Sequence, residues 1–117
     1  MYSLGLENCA KLGKNTPALN PAEIRDLMLM VQDWQLMDQN GIPSISKTFK
    51  FTSYLDGLRF ANLVGLQAEE QDHHPAILTE WRRVTVTWQT HAAAGLHRND
   101  FIMAARTDMI YESQFKT

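Results

Sequence analysis

Three helices laid on one face of a four-stranded antiparallel sheet, an α+β fold in the order α-β-β-α-β-β-α, is the architecture this sequence predicts. Three observations carry that expectation. Two alternating runs flank an Asn-Gly pair at residues 40–41, a broad helical apolar pattern covers 52–70, and a second alternating run at 76–91 precedes a capped helix. The length of 117 residues is one domain's worth of chain. With 44% apolar and 21% charged residues the composition is ordinary for a globular protein.

Residues 1–20 are polar, contain two glycines and a proline, and hold no period, so they read as a loosely ordered arm ahead of a single domain over 21–117. Asn20-Pro21-Ala22-Glu23 is a helix start: Asn20 caps, Pro21 fits the first helical position, and Glu23 sits third. Ile24, Leu27, Met28 and Val31 extend that helix to about 32. Trp34–Met37 is the first strand, and Asn40-Gly41 is the hairpin signal, because both residues tolerate positive φ. On the return strand Ile45, Phe49 and Phe51 alternate with Ser44, Ser46, Thr48 and Lys50. Lys47 is the misfit on the apolar side and is expected near an open end, while Pro43 demotes the strand's start to an edge or bulge.

Thr52 or Ser53 caps the helix of 52–70, whose apolar residues leave only a narrow polar stripe. A helix apolar over that much of its girth packs on two sides, and the second side is expected to be another subunit. Pro75 ends the helix region. Residues 76–91 follow as two strands turning near Arg82-Arg83, with Val84, Val86 and Trp88 on one face and Thr85, Thr87, Gln89 and His91 on the other. Arg98-Asn99-Asp100 then offers a cap for a last helix with Phe101, Ile102, Ala105, Met109 and Ile110 on its apolar side. Trp34, Trp81 and Trp88 read as core or sheet-packing residues, and Ser44 and Ser46 as solvent-facing.

Composition also excludes classes of function. Eleven basic against thirteen acidic residues give a net charge of −2, which lacks the basic excess of a nucleic-acid binder. No apolar run approaches the ~20 residues of a membrane span, and Cys9 has no second cysteine to pair with. A cytoplasmic protein is therefore expected, with no membrane and no direct nucleic-acid partner. GxGxxG, P-loop and GxSxG motifs are absent from the sequence.

Chemistry is concentrated in histidine. His73 and His74 stand at a helix exit beside Glu69, Glu70 and Asp72, and His91 stands at a strand exit. Imidazole titrates nearest neutrality and both gives and takes protons at working pH. Two bland alternatives compete: surface or core histidines, and a His-His pair that only complements the helix dipole. A three-ligand metal site from His73, His91 and Asp72 or Glu69 is the third alternative.

The run Glu69, three residues, His73-His74-Pro75, five residues, Trp81, nine residues, His91, eight residues, Asp100 resembles the signature of the pterin-4a-carbinolamine dehydratases. Leu66-Gln67-Ala68-Glu69 and Ala94-Gly95-Leu96 are similar to the family too; the likeness spans about 34–108 and is greatest to bacterial members. Three positions depart from family habit: Ile77 where animal members carry an aromatic residue, Asn99 rather than arginine directly before Asp100, and Gln89 in place of a small hydroxyl residue.

The resemblance implies dehydration of 4a-hydroxytetrahydropterin to the quinonoid dihydropterin, the recycling step for the cofactor of aromatic amino-acid hydroxylases. No metal and no redox cofactor is implied, the pterin being the substrate. His73, His74 and His91 would be the catalytic set, with His73 and His91 exchanging protons and His74 mainly holding the pterin. Glu69, Asp72, Thr90 and Gln89 would contact substrate or orient the rings; for Asp100 a site role and a plain helix cap stand level. The family also implies a homodimer or homotetramer. The alternative function is a regulatory or dimerisation protein of the same fold, acting on a transcription factor or on hydroxylase expression.

Overall fold

A computed structural model describes residues 4–116; residues 1–3 of the arm and residue 117 of the domain lie outside the described residues. The helices are α1 (Pro21–Met28), α2 (Tyr54–Gln71) and α3 (Arg98–Gln114), and the strands β1 (Gln35–Gln39), β2 (Ile42–Lys50), β3 (Ala76–Glu80) and β4 (Arg83–Trp88). All four strands form one antiparallel sheet in the order β1-β2-β4-β3. The expected α+β architecture and element order are therefore those of the molecule.

Local chemistry explains the boundaries. Asn20 and Glu23 form a reciprocal capping box, with Glu23 N–H donating to Asn20 Oδ1 (2.8 Å) and Asn20 N–H to Glu23 Oε1 (2.9 Å). The helix stops at Met28, short of 32, because the chain tightens into turns closed by Met30 N–H to Leu27 O and Val31 N–H to Met28 O. That tightening drives Val31 and Trp34 into the core and leaves Leu29 exposed. Asn40 (φ 56°) and Gly41 (φ 83°) make the β1–β2 hairpin turn, the left-handed pair that matches strand twist.

Ile45 and Phe49 of β2 and Val84, Val86 and Trp88 of β4 face the helices and are buried against Phe60, Val64 and Ala68 of α2 and Phe101 and Ile102 of α3. Lys47 shares that face, yet it lies mid-strand opposite Val86 rather than at an open end. Its ammonium is accommodated by Asp108 of α3 at 2.8 Å and lies over the Phe49 ring. Pro43 costs the sheet nothing, since β4 pairing starts only at Ile45.

Other expectations need correction. The β3–β4 turn is Trp81-Arg82, with Arg82 left-handed at φ 65°, while Arg83 already pairs with Glu80. Trp81 is not a core residue: it is 74% exposed, beneath the Arg82 guanidinium. Ser44 is fully buried rather than solvent-facing. On α2 the sheet side holds Gly57, Phe60, Val64 and Ala68, while Leu55 (66% exposed) and Leu66 (59%) remain open to solvent on the other side.

The N-terminal arm is tied down instead of loose. Leu4 opens a 3-10 turn over Leu4–Leu6 and is buried, and Gly5 lies so close to α3 that a Cβ there would stand 2.5 Å from Met109 Sδ. Glu7 accepts two hydrogen bonds from Arg98 at 2.9 and 2.6 Å. Side-chain bonds of this kind leave no trace in hydrophobic periodicity, which is why the segment reads as irregular.

Candidate functional site

The site begins where α2 ends. Ser53 caps the helix's start through Asp56 N–H, and at its end Asp72 takes the left-handed conformation (φ 52°), its N–H directed to Ala68 O and Glu69 O. One left-handed residue reverses the chain, and the next two side chains part company. His73 turns inward and is 5% exposed; His74 turns outward.

His73 Nε2 lies 2.6 Å from Asp100 Oδ1, and its ring stacks on Trp88 with centroids 5.9 Å apart and planes 12° apart. Asp100, in the first turn of α3, is fully buried. Its second oxygen accepts from the Thr90 hydroxyl at 2.7 Å and from the His97 backbone N–H at 3.0 Å. An ionised carboxylate only accepts, so toward it His73 donates through Nε2–H, which in a neutral ring places the lone pair on Nδ1. A carboxylate that fixes one nitrogen of an imidazole sets tautomer and ring orientation for proton transfer at the other. Asp100 is therefore not the N-cap of α3 but its third residue: Oδ2 closes the capping box on the His97 N–H, and Oδ1 contacts His73.

His97 closes the other side as the N-cap of α3, its Nδ1 accepting from Asn99 N–H at 3.0 Å. Burial is the main cause that holds its pKa below the usual 6.5, with the nearby His73 acting in the same direction and Asp100 opposing. The sequence singled out neither His97 as a cap nor Trp88 as a partner for His73. The only available signals were the Asp three residues after His97, which matches a capping box, and the shared sheet face of Trp88.

The remaining residues differ in exposure. His74 Nε2 pairs with Glu69 Oε1 at 2.7 Å, and both side chains are more than half exposed. Asp72 is an exposed helix terminator. Thr90 is buried, committed to Asp100, and bridged to Gly95. Gln89 Oε1 is buried without a hydrogen-bond partner in the protein. His91 does not belong to the last strand, which stops at Trp88; it opens a short 3-10 turn, His91–Ala93, and is exposed. The strand alternation that assigned His91 to the face opposite Trp88 therefore does not set its direction; the turn does. Thr90 joins the two halves, bonded to the carboxylate that holds His73 and adjacent in the chain to His91.

Among the described residues, no three His, Cys, Asp or Glu side chains are grouped so as to hold a metal ion. Cys9 is half-buried, and desolvation pushes its thiol up to about 11, so it is no ready nucleophile near neutral pH. No helix among the described residues is long and apolar enough to cross a membrane.

Comparison with known proteins places this geometry in context. The family model described as "Pterin 4 alpha carbinolamine dehydratase" matches residues 17–110. A Microcystis aeruginosa protein is 45% identical over 114 residues, covering 97% of this chain and 98% of the relative. A Marinobacter nauticus protein is 44% identical over 111 residues, covering 95% of this chain and 100% of the relative. Both are named "Putative pterin-4-alpha-carbinolamine dehydratase". The crystal structure of a "transcriptional coactivator/pterin dehydratase" from Brucella melitensis superposes with a TM-score of 0.72 at 30% identity, over 80% of this chain and 97% of the other. A "pterin dehydratase-like protein" described as a RuBisCO assembly factor in the alpha-carboxysome gives 0.54 at 25% identity, over 65% of this chain and 88% of the other.

Proposed function

The chain belongs to the pterin-4-alpha-carbinolamine dehydratase family, and from that premise we propose that it is an active 4a-hydroxytetrahydropterin dehydratase working by histidine acid–base catalysis in the cytoplasm. The reaction breaks the C4a–O bond, sends the hydroxyl off as water, and removes a proton from a ring nitrogen to leave the quinonoid dihydropterin. One group must protonate the departing oxygen and another must accept the nitrogen's proton. Imidazoles do both without a covalent intermediate, and the chemistry needs neither metal nor redox cofactor.

The observation that carries this reading is the buried His73–Asp100 pair at 2.6 Å. With Nε2–H committed to Asp100, His73 exchanges protons through Nδ1, and His91 serves the other proton. His74, oriented by Glu69, holds the pterin, with Asp72 and Gln89 at the rim and Thr90 keeping Asp100 in place. Stopped-flow loss of 4a-carbinolamine absorbance tests this directly. Fast decay with wild type and a drop of at least ~10²-fold in His73→Ala are expected, the scale of one general acid–base group. A wild type that fails to accelerate the decay would refute the enzyme.

A specific observation favours a second reading. The solvent-facing apolar side of α2, with Leu55, Leu58 and Leu66 exposed, is not used by the histidine site, and the two structural neighbours are described as a coactivator and an assembly factor. On this reading the chain self-associates or docks a partner through α2. Wild type without turnover, together with a mass in solution that drops to the monomer in Leu66→Glu, would favour it.

A further inference from the structure

Residues 7–10 of the N-terminal arm touch neither His73 nor Asp100 in any hydrogen bond, yet they are bonded to Asn99, directly before Asp100, and to Gln71, two residues before His73. Asn99, directly before Asp100 and 1% exposed, uses both ends of its amide on Ala10: Ala10 N–H donates to Oδ1 at 2.8 Å, and Nδ2–H donates to Ala10 O at 2.9 Å. One residue earlier, Cys9 N–H donates to Gln71 Oε1 at 2.7 Å, and Gln71 is the last residue of α2, two before His73. Gln71 Nε2–H in turn reaches Asn8 Oδ1 at 3.2 Å.

Consecutive residues of the arm therefore fasten the end of one helix and the start of another. Those are the two helix termini whose meeting creates the 2.6 Å contact between His73 and Asp100. A backbone segment with both its N–H and its C=O engaged by one buried amide resists sliding in either direction. Arg106 of α3 adds a second row of fastening, to Glu7 O at 2.8 Å and to Gln67 of α2 at 2.8 Å.

We propose that the arm is a clamp that holds the His73–Asp100 pair in register, with Asn99 and Gln71 as positioning residues for the reaction. The catalytic part of this rests on the dehydratase reading above; the structural part does not. A donor and acceptor must be held within a fraction of an ångström to work, and a displacement near 1 Å can cost ~10²-fold in rate. Most of the clamp, residues 7–10, lies before the segment matched by the family model, which begins at residue 17. Asn99, buried and bonded to Ala10 through both ends of its amide, is the clamp's main anchor.

The test uses the full chain and two readouts. The first, without substrate, is the NMR signal of the His73 Nε2 proton and its exchange with water, alongside hydrogen exchange at the Cys9 and Ala10 amides. The second is turnover, resolved into kcat and KM. In Asn99→Ala the Ala10 amide should lose protection, the His73 proton should exchange faster or broaden, and kcat should fall roughly 10- to 100-fold with KM about unchanged. Gln71→Ala should act in the same direction and serves alone should Asn99→Ala not fold. Gln71→Glu keeps an acceptor for Cys9 N–H and should restore both signals. Released arm amides with an unaltered His73 proton and unaltered kcat would overturn the clamp. An inactive wild type would count against the dehydratase reading only, the His73 proton then deciding the clamp by itself.

Discussion

His73 and His74 are neighbours in the chain and live in opposite halves of the site. The first is buried, stacked on Trp88, and held by a carboxylate that takes two further hydrogen bonds from Thr90 and His97. The second pairs with Glu69 in the open, and His91 is likewise exposed. A buried charge must be satisfied on every side or it destabilises the fold, so the inner half is fixed before any ligand arrives. Exposed pairs are weak and adaptable. The difference teaches that one imidazole of the pair is fixed by the fold, while the other is held only by an exposed, weakly stabilising partner.

The strongest way to break that contrast is Asp100→Ala. It strands the His73 Nε2–H, the Thr90 hydroxyl and the His97 N–H, so urea denaturation should show a loss of roughly 3–5 kcal/mol, with turnover reduced at least as far as in His73→Ala. A loss under about 1 kcal/mol would mean that the inner half is not held as described.

Acid should come next in size. His97 has a folded pKa below its unfolded value because of burial. The unfolded chain therefore binds more protons, and stability falls as the pH drops from about 6.5 down through the folded value. Protonated Nδ1 also ceases to accept from Asn99 N–H. Melting temperatures compared between pH 7.5 and 5.5 should decline in wild type and decline less in His97→Asn, a non-titrating cap. Glu7 and Glu80, both held below 4.5 by arginine partners, stay out of that window.

Glu69→Gln should do least. The pair it breaks is mostly in solvent, so stability should move by less than about 0.5 kcal/mol. A cost comparable to that of Asp100→Ala would erase the distinction between the halves.

Much of the fold is legible because its signals are local. Asn20-Pro21 with Glu23, the Asn40-Gly41 turn, and the alternation of Val84, Val86 and Trp88 each name an element from a few consecutive residues. What misled were side chains whose meaning depends on distant partners. Lys47 looked misplaced until Asp108 was found opposite it, 61 residues on. Trp81 looked like core, but β3, roughly 16 Å long, carries it to a solvent-exposed turn at the far end from the histidines.

The sequence by itself determined the order of helices and strands, the caps of α1 and α2, and which residue types were on hand for proton transfer, since all of these follow from spacing along the chain. Only the tertiary structure decided which of two adjacent imidazoles is enclosed, that Asp100 rather than a nearer acid holds it, and that the arm braces both. The physical reason is a single left-handed residue, Asp72, after which direction is set not by periodicity but by where the end of α2 and the start of α3 come to rest.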